Sequence, residues 1–174
     1  MLVGDLIQLR LVREQDLSAL FDLMTDLESR GAYFPLGVMS EPALHAAFAK
    51  NGFWDKDEGM LLTVSGDDIV GEIEYFPITH YMQGYEISYQ LFGSQYAGRG
   101  YTTEALNLLT RYLFASKRVN RLQLIIHPDN APSKRVAVKC GFTFEGVMRA
   151  SWFHDGAYQD VEVWSLLRDE ASGG

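Results

Sequence analysis

Residues 85–126 constrain the fold more tightly than any other stretch of the chain. Alternating apolar and polar residues at 85–92 give way to the turn Gln95-Tyr-Ala-Gly-Arg-Gly, and then to a helical pattern over 101–117 that sets Ala105, Leu108, Leu109, Tyr112 and Leu113 at helical spacing. Strand composition returns at 121–126. Strand, turn, helix and strand in that order form a βαβ crossover, which lays the two strands side by side in parallel. The turn raises a chemical question. A helix start leaves several N–H groups unpartnered and carries a partial positive charge, so it attracts anions. Gly98 and Gly100 put no side chain between an anion and those donors. Their spacing matches neither the three-glycine dinucleotide fingerprint nor the P-loop. On its own the turn is either a phosphate cradle or a plain connection.

The rest of the chain supplies the layers around that crossover. Residues 5–12 suit a first strand with a small irregularity, and residues 14–26 carry Leu17, Leu20, Phe21 and Met24 at core-helix spacing. Gly31 and Pro35 break the chain before a second helix over 41–53, with Ser40 as its N-cap. Residues 60–65, 69–76 and 85–92 form an antiparallel meander whose first turn is Gly66-Asp67-Asp68. Pro128 and Pro132 bracket a loop ahead of a short helix at 133–140 closed by Gly141, and two last strands surround His154-Asp155-Gly156. The expected α/β (α+β) fold has a mixed, mostly antiparallel central sheet of about seven strands flanked by four helices. At 174 residues, one domain over 1–174 suits the length. Phe21, Met24, Leu108, Leu109 and Val138 are expected in its core.

Composition narrows the function classes. A net charge of −8 argues against a nucleic-acid partner, and no apolar run approaches the ~18 residues of a membrane span. The first ten residues mix acid and base and lack a signal-peptide layout, so a cytoplasmic protein is expected. The one cysteine, Cys140, forbids an internal disulfide and sits in core context, and His45, His80, His127 and His154 show no metal spacing. No metal is expected.

Beyond the glycines, Gly98-Arg-Gly-Tyr-Thr-Thr-Glu-Ala-Leu106 resembles motif A of the GNAT N-acetyltransferase superfamily, in the branch named for the ribosomal-protein acetyltransferases RimJ and RimL. Asn130-Ala-Pro-Ser133, Lys139-Cys-Gly-Phe142 and Glu145-Gly-Val-Met-Arg149 are similar to later motifs of that branch, and Asp155-Gly with Asp160 to its closing hairpin. The resemblance covers most of residues 84–168. It implies acetyl-CoA as donor, with pyrophosphate held by the amides of Gln95, Tyr96, Ala97, Gly98, Arg99 and Gly100 and by the helix start at Tyr101 and Thr102. It further implies a sheet splayed at the cofactor site, Asn130 and Ser133 near the pantetheine arm or its thiol, and main-chain groups of Leu91 and Phe92 offered to the pantetheine and the thioester carbonyl. A backbone N–H aimed at that carbonyl would be worth roughly 3 kcal/mol. Gly93 stands where the branch commonly has proline.

Amine attack needs a base and an exit for the thiolate. Along 85–91, Glu86, Ser88 and Gln90 share one strand face, with Tyr85, Ile87, Tyr89 and Leu91 on the other. Glu86 matches a glutamate that many family members carry, and Glu72 and Glu74 on the neighbouring strand are rivals; a solvated, wet sheet face accounts for all three equally well. Much of the superfamily has a tyrosine acid four residues before the Gly-Phe of the later helix. Ala137 stands there, which leaves Ser133 as the nearby hydroxyl. The resemblance places Tyr33 and Trp152 at the acceptor. That acceptor is a small-molecule amine or a protein N-terminus, taken by a monomer or homodimer; a small one requires that the 27–40 loop and the last hairpin close a pocket. The alternative is a non-catalytic acyl-CoA-binding regulatory module.

Overall fold

The computed structural model describes residues 1–79 and 81–171; His80 and the end of the expected domain, 172–174, lie outside them. Eight strands run along the chain as β1 (Leu2–Val3), β2 (Gln8–Leu11), β3 (Gly59–Ser65), β4 (Asp68–Pro77), β5 (Gly84–Leu91), β6 (Arg121–Ile126), β7 (Thr143–His154) and β8 (Ala157–Leu167). They form one sheet in the order β1-β2-β3-β4-β5-β6-β8-β7. Every pairing is antiparallel except β5 with β6, the pair joined by the crossover. The α-helices are α1 (Leu17–Thr25), α2 (Glu41–Asn51), α3 (Tyr101–Ser116), α4 (Ala131–Lys139) and α5 (Arg168–Ala171), with short 3-10 turns at Glu14–Asp16 and Ser94–Tyr96. The sheet has one strand more than the sequence suggests, and α5 is an added short turn.

The extra strand has a specific cause. Glu104, in the first turn of α3, accepts hydrogen bonds from the N–H groups of Asp5 at 2.8 Å, Leu6 at 2.9 Å and Ile7 at 2.8 Å. Those residues are held as a turn, so the strand expected at 5–12 begins only at Gln8 and Leu2–Val3 folds back upon it. A Cβ at Gly4 would stand 2.4 Å from Glu104 Cδ, so a side chain there would push aside the carboxylate that makes these bonds.

The two faces of the sheet bury different partners. Ile73, Tyr75 and Ile87 pack with Leu106, Leu109 and Leu113 of α3, each buried leucine worth roughly 1.5–3 kcal/mol. On the opposite face Leu17 and Leu20 of α1 meet Val12, Leu62, Val64 and Phe92. The cross-strand pairs Leu62 with Glu72, Glu72 with Gln90, Glu74 with Ser88 and Phe76 with Glu86 put the acidic residues on this α1 face. Part of the face that sequence allowed to be wet is dry: Glu72 and Gln90 are only 4% and 5% exposed. Val138, expected in the core, is 61% exposed on α4.

Candidate active site

β5 and β6 pair only at Gly84 with Arg121, Tyr85 with Leu122 and Glu86 with Gln123. β5 continues to Leu91 and β6 to Ile126, so beyond Glu86 the strands part and the main chain of 87–91 faces open space on that side. A cleft of about 1120 Å³ fills the gap, running along β5, the glycine turn, the starts of α3 and α4, and the 26–35 loop. At the turn, Gly98 and Gly100 take φ of +73 and +86, backbone that other residues adopt only at a cost. Gly100 caps α3 without a side-chain bond, and nothing lies within 4 Å of where a Gly98 Cβ would stand. The cradle is open. Cys140 Sγ lies 3.5 Å from the Thr103 carbonyl, which brings the end of α4 with Lys139 beside that helix start; Arg135 and Lys139 both line the cleft.

The opposite end is acidic. Glu74 and Glu86 line the cleft, and Gln123 Nε2 donates to Glu86 Oε2 at 3.0 Å. Burial raises the Glu86 carboxyl above its ordinary range, against the pull of the Gln123 bond. Burial likewise raises Glu74, with Glu58 and Glu86 adding like charge and the Ser88 hydroxyl opposing. Behind them Glu72 is pushed up to about 8 by burial first and by Glu74, with Arg30 acting in the other direction.

Residues 7–143 match the family described as acetyltransferase (GNAT) domain. The chain belongs to the GNAT acetyltransferase family. It is similar to the uncharacterized N-acetyltransferase p20 of Bacillus licheniformis, 32% identical over 107 residues that span 62% of this chain and 60% of that one. The ribosomal-protein-serine acetyltransferase of Escherichia coli (strain K12) is 29% identical over 110 residues, 63% of this chain and 61% of its own, in keeping with the RimJ/RimL-like motifs. The chain thus spans about three fifths of the length of these two curated relatives. The crystal structure of spermidine N-acetyltransferase from Vibrio cholerae in complex with CoA and spermine superposes with a TM-score of 0.83 over 98% of this chain and 100% of that one, at 20% identity. That likeness carries the fold alone.

Within this acetyltransferase, Leu91 and residues 95–98 line the cleft, with Gly100, Tyr101 and Thr102 at the start of α3 and Asn130 and Ser133 at the start of α4. Two residues assigned to the donor do not. Arg99 is exposed and outside the lining. Phe92 is buried against α1, and its N–H is spent on the Val70 carbonyl at 2.9 Å, so it has no amide to offer a thioester. Gly93 takes a φ of +122 that no proline could reach, and the Gln95 side-chain amide occupies the place of its Cβ. The helix expected at 133–140, α4, starts two residues early, at Ala131, because Asn130 Oδ1 caps it by accepting from the Ser133 N–H at 3.1 Å; Pro132 lies in its first turn rather than ending a loop.

The acceptor end is closed by contacts among distant segments. Tyr33 stacks on His127 at 4.7 Å between centroids, and Trp152 lies 6.2 Å from His127 and 4.3 Å from His154. His154 Nε2 is 3.1 Å from the Phe34 carbonyl, so the last hairpin and the 26–35 loop touch. Cys140 is buried and its thiol is pushed up to about 12 by burial, an inert state. Among the described residues no group of three or more His, Cys, Asp and Glu could hold a metal ion, and no helix is long and apolar enough to cross a membrane. Sequence reasoning passed over Gln123, Glu104 and Tyr89 as site-builders. Strand alternation alone could have flagged Gln123 and Tyr89, since each lies on a strand beside the splay.

Proposed function

We propose that the cleft transfers an acetyl group from acetyl-CoA to a primary amine by direct attack, and that the amine is a small cationic molecule. The observation that carries this reading is the parting of β5 from β6 after Glu86, which exposes strand backbone between an open, donor-rich helix start and a half-buried carboxylate. Bound acetyl-CoA supplies an activated thioester. The main-chain amides of Gly98 and Gly100, with the start of α3 at Tyr101 and Thr102, hold its pyrophosphate. Arg135 and Lys139 add positive charge at that end. The free edge of β5 near Leu91 bonds the pantetheine, and Asn130 and Ser133 border it. Glu86, kept in place by Gln123, takes a proton from the nitrogen as the neutral amine attacks.

Charge along the cleft separates the two substrates. Basic residues stand at the donor end, while Glu74 and Glu86 line the acceptor end with burial raising both carboxyls. The contact of His154 with Phe34 and the Tyr33–His127 stack close that end, which suits a small molecule better than an extended polypeptide. Tyr33 and Trp152 form its walls.

The test is CoA release from acetyl-CoA across polyamines, amino sugars, aminoglycosides and peptides with free N-termini, each product weighed by mass spectrometry. Turnover confined to small amines of two or more positive charges is expected. Turnover confined to peptides would transfer the reading to a protein N-terminus. Tight acetyl-CoA binding with no acceptor at all would favour a non-catalytic module.

A further inference from the structure

Tyr89 lies out of step with Glu86, Ser88 and Gln90, on the α3 and α4 side of β5. Its hydroxyl is 2.6 Å from Ser133 Oγ, the one side-chain hydrogen bond it makes among the described residues. Ser133 is itself fixed, because its N–H donates to Asn130 Oδ1 at 3.1 Å. Both side chains line the cleft that holds Glu86. α4 carries no phenol on this face, where Ala137 is buried in the core.

Two hydroxyls this close share one hydrogen, and its owner can be argued. A phenol is the stronger donor and an aliphatic hydroxyl oxygen the stronger acceptor. Burial secures the Tyr89 proton, pushing its value up to about 12, with the Ser133 bond working against that and Cys140 adding to it. Tyr89 therefore donates to Ser133. The Ser133 hydrogen is left to point elsewhere, and the cleft is the open direction.

We propose that Tyr89 is a positioning residue that turns the Ser133 hydroxyl outward, so that Ser133 donates a hydrogen bond to the donor's sulfur as the acyl bond breaks. The inference rests on the reading of this cleft as the acetyl-CoA site. In the transfer the N–C bond forms and the C–S bond breaks. The electron pair of the broken bond stays on sulfur; of the two protons the ammonium loses on becoming an amide, solvent takes the first before attack and Glu86 takes the second as the N–C bond forms, and Ser133 keeps its own hydrogen throughout. A hydrogen bond to an ionised sulfur is stronger than one to a thiol. The pair therefore favours thiolate over thiol in the cleft.

That preference is measurable without turnover. Free CoA is titrated into the protein by calorimetry at about pH 7 and about pH 9, either side of the ordinary thiol value of about 8.5. Wild-type affinity is expected to rise about fivefold between them, as a charge-assisted bond would require, while desulfo-CoA shows no rise. Tyr89→Phe, which keeps the ring, and Ser133→Ala should each cut the rise below about twofold and leave desulfo-CoA affinity unchanged, with the double variant no different from Ser133→Ala. Turnover by Tyr89→Phe should fall about tenfold in kcat at constant KM for acetyl-CoA, the mark of an interaction used as the bond breaks.

A rise that survives in Tyr89→Phe would overturn the proposal, and so would an equal loss of CoA and desulfo-CoA affinity, which marks a packing role. Failure of the wild type to bind CoA at either pH would overturn the donor site itself, and this inference with it. Binding of both ligands by the wild type without any rise would overturn this inference alone.

Discussion

Glu86→Gln is expected to lower kcat by roughly a hundredfold or more while leaving acetyl-CoA affinity unchanged, the scale of a positioned general base. The substitution keeps the size of the side chain, so the walls of the cleft stay in place. What it removes is the acceptor for the proton that the nitrogen loses on attack. Glu86 also carries the pH dependence. Its carboxyl titrates above the ordinary glutamate range because burial disfavours the charged form. As a base it works only when ionised, so wild-type kcat should fall as pH drops through that raised value. The acidic limb of the profile should vanish in Glu86→Gln. A variant with wild-type turnover, or one that keeps the limb, would remove Glu86 from proton transfer and leave Glu74 as the carboxylate lining the same end of the cleft.

Glu72→Gln is expected to change stability in a direction unusual for losing a carboxylate. Glu72 is 4% exposed, and among the described residues its Oε2 has no hydrogen-bond partner, nor does either amide atom of Gln90 opposite it. Burial holds its proton to about pH 8, against 4.5 for an unburied glutamate. Below the lower value both folded and unfolded chains are protonated and the carboxyl costs nothing extra. Between the two the unfolded chain releases its proton and the folded one does not, so stability is lost as pH rises, levelling off above the higher value. The full penalty is on the order of 5 kcal/mol, a ceiling given how readily such sites relax. Glutamine carries no such cost. Urea unfolding at about pH 5.5 and about pH 8.5 should show the variant gaining on the wild type by several kcal/mol at the higher value. A difference that is constant with pH would mean that Glu72 is ionised in the fold and would contradict this account.

How far these features were legible depends on which physical rule each obeys. The crossover and its glycine turn announce themselves because periodicity, turn chemistry and chain order all act locally over residues 85–126. The acidic face of β4 and β5 was legible as a shared face, but not whether it was wet: Glu72 and Gln90 are buried, while Glu74 and Glu86 line the cleft. Alternation fixes which residues point together, but only tertiary packing decides which of them are buried and which face the cleft. Glu104 is the sharper lesson. Its place in the motif was plain, yet its partners are the backbone amides of Asp5, Leu6 and Ile7, nearly a hundred residues away, and no local pattern encodes that reach. The paired amide of Phe92 and the exposure of Val138 were hidden for smaller reasons. Phe92 lies just past the end of β5, where its amide still pairs with β4, and α4 is too short for one apolar residue to choose between its two faces. Tyr89 was visible only as a strand residue until α4 set Ser133 against it.

The central claim is that the gap between β5 and β6, with the glycine turn at its end, is where acetyl-CoA binds. Its most direct test is a titration of isotopically labelled protein with acetyl-CoA, followed amide by amide in the NMR spectrum. Saturable shifts should concentrate on the amides of 87–91 and 98–103, with little change in the N–H of Phe92, which Val70 already holds. Shifts centred on another face of the sheet, or none at ligand concentrations that stabilise the protein, would contradict the placement of the donor in this cleft.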